Sequence, residues 1–168
     1  MLQVETDIAA GNWPADADWP ALARAAVAAA IAQTPHGDLA SAAMAVEVAV
    51  RLTDDAEVHT LNRQYRGRDK PTNILSFPML QPDMLVGLAN SDDGEVLLGD
   101  LVLADAIVSH EAAARGWPLP AYCQHLIVHG ALHLLGYDHE QGEAQALHME
   151  RLETAACAAL DLPDPYEG

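Results

Sequence analysis

Positive charge is scarce in this chain. Eight lysines and arginines stand against 25 aspartates and glutamates, a formal net charge of −17. Spread evenly, that excess would argue against a polyanionic partner. Aromatic residues are few as well, with one phenylalanine in 168 residues, so stacking platforms for nucleobases are sparse. The two cysteines, Cys123 and Cys157, form neither a C-x-x-C pair nor a disulfide framework. They are expected to be buried thiols in a reducing compartment. No apolar run reaches the roughly 18 residues of a membrane span, so no membrane association is expected. The opening MLQVETDIAAGNWP has no basic n-region and no apolar h-region. It therefore predicts no signal peptide and a cytoplasmic location. Internal repeats, linkers and low-complexity segments are absent too.

What remains is a chain of ordinary globular composition, 51% hydrophobic and rich in alanine and leucine, long enough to bury one core without staples. Its few cations are unevenly placed. Arg63, Arg66, Arg68 and Lys70 supply half of the 8 positive charges within eight positions, while Arg24, Arg51, Arg115 and Arg151 are scattered. An anion, if one binds, is expected at this cluster. The alternative is a solvated loop with surface ion pairs.

Periodicity and punctuation predict the elements. Strands are expected over Gln3–Ile8, Ala43–Leu52, Asn73–Phe77 and Val96–Val102. Helices are expected from Asp18, a cap with Trp19 and Pro20 behind it, to Gln33, and from a Thr53 or Asp54 cap to Tyr65. Three more should follow: one up to Arg115 and stopping at Gly116, one opened by Pro118 or Pro120 and closed by Gly136, and one from Gln141 to Leu160. Gly67–Thr72 reads as a polar loop, and Gln81–Glu95 as irregular with an Asp92-Asp93-Gly94 turn. The expected fold is a single α+β domain, a small mixed sheet of about four strands packed with about five helices.

The chemistry is concentrated in His129-Gly130-Ala131-Leu132-His133-Leu134-Leu135-Gly136-Tyr137-Asp138-His139. His129 and His133, four apart on a helix, share a face one turn apart and reach one metal at about 2.0–2.1 Å. His125 extends the same stripe. It lies about 12 Å from His133 at 1.5 Å per residue, too far for one ion. The third ligand must come from where the chain turns back, and Gly136 permits a left-handed reversal that brings in His139. His125 is then a structural residue or a supporting one behind the ligands, and His36, His59, His110 and His148 are ordinary surface or helix residues. Three histidines leave a coordination position open, as catalytic zinc sites do. One Zn²⁺ per chain is expected, with Ni²⁺, Co²⁺ or Mn²⁺ as alternatives. Asp138 is either an acceptor orienting a ligand or water, or a simple turn residue.

The spacing H-x-x-x-H-x-x-G-x-x-H is that of metzincin proteases, which carry a glutamate base after the first histidine. Here that place is Gly130, so a metzincin-like protease or other metallohydrolase is the weaker reading. Glu140 is at most a distant base.

HGALHLLGYDHE at His129–Glu140 resembles the signature of the bacterial YbeY family of metal-dependent endoribonucleases. LNRQYRGRDKPTNILSFP from Leu61 to Pro78, LGDLVLA from Leu98 to Ala104, and the closing Asp164-Pro165-Tyr166 agree in order and spacing. The resemblance implies a compact α+β fold with a metal on His129, His133 and His139. It also implies single-strand-specific endoribonuclease activity in maturing the 3′ end of 16S ribosomal RNA and in ribosome quality control. A small-subunit ribosomal protein and an Era-type GTPase are the implied partners. The family's key arginine falls on Arg66, in the pair Tyr65-Arg66. Arg66 and His129 are thus the expected catalytic residues. Arg66 would clamp a phosphate, with Arg68 and Lys70 either holding the strand or serving the loop alone. The competing reading is a non-catalytic, metal-stabilised ribosome-assembly factor, whose acidity would suit basic ribosomal proteins.

Overall fold

The alternation in strand β2 (Ala45–Thr53) sets the architecture. Val46, Val48, Val50 and Leu52 fall on one side and are at most 1% exposed, while Glu47, Ala49 and Arg51 face the other way. The computed structural model describes residues 1–81, 84–85, 94–140 and 142–166. Within them β1 (Leu2–Ile8) and β4 (Glu95–Ala104) flank β2, both parallel to it. Strand β3 (Ile74–Pro78) runs antiparallel along the far side of β4, which makes the sheet mixed, in the order β1-β2-β4-β3.

One face carries the main core. Helix α1 (Trp19–Ala32) starts where the Asp18 carboxylate accepts the Ala21 amide, and it buries Trp19, Ala23, Ala26, Val27, Ala30 and Ile31 at helical spacing. Helix α4 (Leu119–Leu134) is buried along most of its length, as its nearly continuous apolar sequence requires, and α5 (Glu143–Ala159) packs against α1 and α4. The opposite face is covered by α2 (Asp55–Arg66) and α3 (Asp105–Arg115) over a smaller cluster of Val58, Leu75, Val102 and Ala104. The single α+β domain with four strands and five α-helices is as expected among the described residues.

Differences from the sequence reading lie at element ends. Asp54 caps α2 by accepting the Glu57 amide, while the Thr53 hydroxyl donates to the Glu57 carboxylate instead. Strand β4 is longer than Val96–Val102, because Leu103 and Ala104 continue the pairing with Leu52 and Thr53. The break at Pro35–Asp38 leads into a 3₁₀ turn, Gly37–Ala40. The expected start of the last helix at Gln141 and the Asp92-Asp93 turn lie outside the described residues. Both cysteines are buried and free. No described helix is long and apolar enough to cross a membrane.

Candidate metal centre

The C-terminal end of α4 is built by a Schellman cap. The Gly136 amide donates to the His133 carbonyl (3.0 Å) and the Tyr137 amide to the Leu132 carbonyl (3.1 Å), with Gly136 at φ +97°. This reversal brings His139 over the last turn of the helix. It also returns the Tyr137 carbonyl to the His133 ring, where it accepts from Nδ1 at 2.9 Å.

The three imidazoles converge. Ring centroids lie 4.6 Å apart for His129 and His133, 5.3 Å for His129 and His139, and 5.2 Å for His133 and His139. One nitrogen from each ring lies within 4.8 Å of the other two. The rings of His129 and His133 are held from behind, His133 by the Tyr137 carbonyl and His129 by the carboxylate of Glu153 on α5. A carbonyl only accepts, and so does a carboxylate, so both rings carry their proton on Nδ1. Their Nε2 lone pairs then face each other at 3.0 Å, an arrangement that a shared proton or a bound cation relieves. Two nitrogens on a tetrahedral zinc at 2.0–2.1 Å sit about 3.4 Å apart, so the donor set fits such an ion. Burial, reinforced by the neighbouring His129, pushes His133 down to about 4, which keeps it in the neutral form that a metal takes.

The tertiary fold brings the cationic segment to this place. A cleft of about 460 Å³ is lined both by His129, His133 and His139 and by Arg66, Arg68 and Lys70. It follows β3 at the sheet edge, where Asn73, Ile74 and Ser76 contribute. Arg63, the fourth member of the cluster, is exposed and does not line it. The loop carrying Arg68 and Lys70 hangs on Asn62, only 2% exposed. The Asn62 backbone carbonyl accepts from the amides of Gly67 and Arg68, and its side-chain amide donates to the Lys70 carbonyl at 2.8 Å. Among the described residues none of Arg66, Arg68 and Lys70 has a carboxylate partner, so their charge is available to a ligand.

Other predicted residues are placed as follows. Asp138 and Glu140 line the cleft, with the Asp138 carboxylate accepting the Glu140 amide at 2.9 Å. His125 is buried among the rings of Trp117, Tyr122 and Tyr166, and burial pushes it down to about 4. His59 is a partly exposed residue paired with Asp69, and His148 lies tilted beside the Tyr137 ring. Sequence reasoning missed Glu153. It sits in the middle of the core-facing stripe Met149, Glu153, Ala156 and Cys157, and is 0% exposed. An acidic residue at a core position of an amphipathic helix was the available signal.

Gly130 has a steric reason. A Cβ there would lie 2.7 Å from Leu101 Cδ2, 3.0 Å from Ile74 Cδ1 and 3.2 Å from Ser76 Oγ, so α4 meets the sheet at this point. The glutamate of a metzincin would have to push these side-chain ends aside. Gly130→Glu is expected to lose at least about 3 kcal/mol through overpacking and a buried charge. In a chain of this size that lowers the midpoint of thermal unfolding by roughly 10 °C. A melt indistinguishable from wild type would show that the contact yields.

These observations define a class, a small α+β protein with an open three-histidine centre in a cationic cleft. Residues 16–161 match the family model described as Endoribonuclease YbeY, and the chain belongs to that family. It is 61% identical over 166 residues to an endoribonuclease YbeY of Sphingopyxis alaskensis, covering 99% of this chain and 98% of that one. It is 57% identical to one of Rhizorhabdus wittichii, covering 99% and 97%. A solution structure of a Thermotoga maritima protein shares the fold, with a TM-score of 0.53 at 21% identity, over 99% of this chain and 100% of that one.

Proposed function

We propose that this protein is a metal-dependent endoribonuclease acting on single-stranded RNA in the cytoplasm, and that its substrate is the 3′ end of 16S ribosomal RNA during maturation and quality control. The observation that carries the reading is the meeting of three convergent imidazoles with three cations that have no carboxylate partner among the described residues, in one cleft. The names of the relatives supply the reaction class.

His129, His133 and His139 would hold the ion, Zn²⁺ by preference for nitrogen donors in this geometry. A divalent ion bound there supplies Lewis acidity toward a phosphodiester. The residues of the chain do the rest. Arg66 pairs its planar fork with the phosphate and offsets charge that develops on it. Arg68 and Lys70 hold neighbouring phosphates. Three cations at a single cleft suit a single strand and are too few to form a face for a duplex. Asp138 shapes the turn that presents His139.

The net charge of −17 also supports contact with basic proteins, in keeping with a small-subunit ribosomal protein and an Era-type GTPase as partners. A second cavity of about 730 Å³ on the other sheet face carries Glu5, Asp100 and an Asp7–Arg51 ion pair around Tyr65 and Phe77, leaving it net acidic. This favours, as a second reading, an assembly factor working through such contacts.

Metal removal separates the two. Chelator-treated protein is expected to lose cleavage of single-stranded RNA by more than 100-fold and to regain it with one equivalent of Zn²⁺ (order of magnitude from the weight of a Lewis acid in phosphoryl chemistry). Contamination-controlled protein with full metal and no cleavage would leave the assembly factor.

A further inference from the structure

The segment Asp164-Pro165-Tyr166 has no part in the cleft, yet it is tied down at three points. The Arg115 guanidinium donates to the Pro165 carbonyl at 3.0 Å. The Asp164 carboxylate accepts the Tyr166 amide at 2.9 Å and the Thr154 hydroxyl at 3.4 Å. The Tyr166 ring meets His125 edge-on, with centroids 6.5 Å apart. So held, Tyr166 donates its hydroxyl to one oxygen of Glu153, whose other oxygen accepts from His129 Nδ1. Among the described residues these are the two partners of a carboxylate with no exposure.

We infer that Glu153 and Tyr166 form a positioning pair for the metal centre, with the 164–166 strap fixing the ring orientation and tautomer of His129. The inference rests on the proposed metal reading and deepens it. The physical chain is short. A carboxylate in the core is retained only with full pairing. With one oxygen on Tyr166, its rotation is stopped and the other oxygen stays on His129 Nδ1. That holds the His129 proton on Nδ1 and aims the Nε2 lone pair at His133 Nε2, 3.0 Å away. A carboxylate behind a ligating imidazole also raises its basicity, and such partners typically change metal affinity by about 10- to 100-fold when altered. Neither residue touches the cleft, so they act through His129 and not on substrate.

The test uses full-length wild type, Tyr166→Phe, Glu153→Gln and His129→Ala. Zinc affinity is measured by competition with a chromogenic chelator, and the His129 tautomer by ¹⁵N NMR of metal-free protein. Tyr166→Phe removes one hydroxyl from a half-exposed side chain and should keep the fold. It is expected to bind zinc about 10-fold more weakly and to show a smaller fraction of the Nδ1–H tautomer. Glu153→Gln keeps an acceptor but loses the charge, and is expected to weaken zinc by about 10- to 100-fold. Tyr166→Phe with wild-type affinity and an unchanged tautomer overturns the inference, whatever Glu153→Gln does. A wild type that binds no zinc, or binds it as well as His129→Ala does, overturns the metal reading instead.

Discussion

His129→Ala is expected to bind zinc more than about 100-fold more weakly than wild type and to lose RNA cleavage with it, since altering even the partner of a ligating histidine costs 10- to 100-fold. It should also be less stable. The substitution strips Glu153 of one of its two partners while the carboxylate stays at 0% exposure. Leaving a buried carboxylate short of one hydrogen bond costs about 1–3 kcal/mol. His139→Ala makes the comparison. That ring is exposed on the turn after α4, so its removal should change stability by no more than about 0.5 kcal/mol. It should still abolish tight zinc binding and cleavage. Metal analysis, chelator competition and thermal melts on both variants separate loss of a ligand from loss of fold. Cleavage equal to wild type in either variant, from protein freed of contaminating nucleases, would remove the three-histidine centre from the mechanism.

Arg66→Ala is the second large effect, and it should be of the opposite kind. Arg66 is exposed at the C-terminal end of α2 and has no carboxylate partner among the described residues, so the fold and the bound metal should survive its loss. The rate should not survive. Removing a preorganised donor to developing charge costs about 10²- to 10³-fold. Arg66→Lys keeps the charge but not the two-pronged geometry, so its rate is expected between those of wild type and Arg66→Ala. Arg68→Ala and Lys70→Ala should act mainly on KM. If each holds one phosphate, each should flatten the salt dependence of single-strand binding by about 0.7 in log–log slope. An Arg66→Ala protein that loses metal or melts early would mean that Arg66 supports the structure and not the phosphate.

The histidine cluster could be anticipated before any fold was known because it is a local object. Helical rise places His129 over His133, and a left-handed glycine three residues before His139 turns the chain back. Both properties belong to a stretch of eleven residues. The cationic loop was legible as a concentration of charge, and the caps at Asp18 and Asp54 followed from side chains that compete for helix-end amides. The strands were legible as short apolar runs, and the mixed sheet was expected from the alternation of strands and helices along the chain.

Three things needed the packed molecule. Glu153 lies 24 residues from the histidine it holds, and Tyr166 another 13 beyond. Their meeting depends on which faces of α4 and α5 press together, and sequence periodicity marks a face without naming its neighbour. Gly130 read as a missing base, whereas its steric role depends on Leu101 and Ile74 from two different strands. The cationic segment and the imidazoles share a cleft because β3 is an edge strand, and strand order is set by long-range pairing. Alone, the sequence determined how backbone geometry groups residues a few positions apart. Only the tertiary structure decided what stands behind and opposite them, because those contacts arise from the burial of whole surfaces against each other.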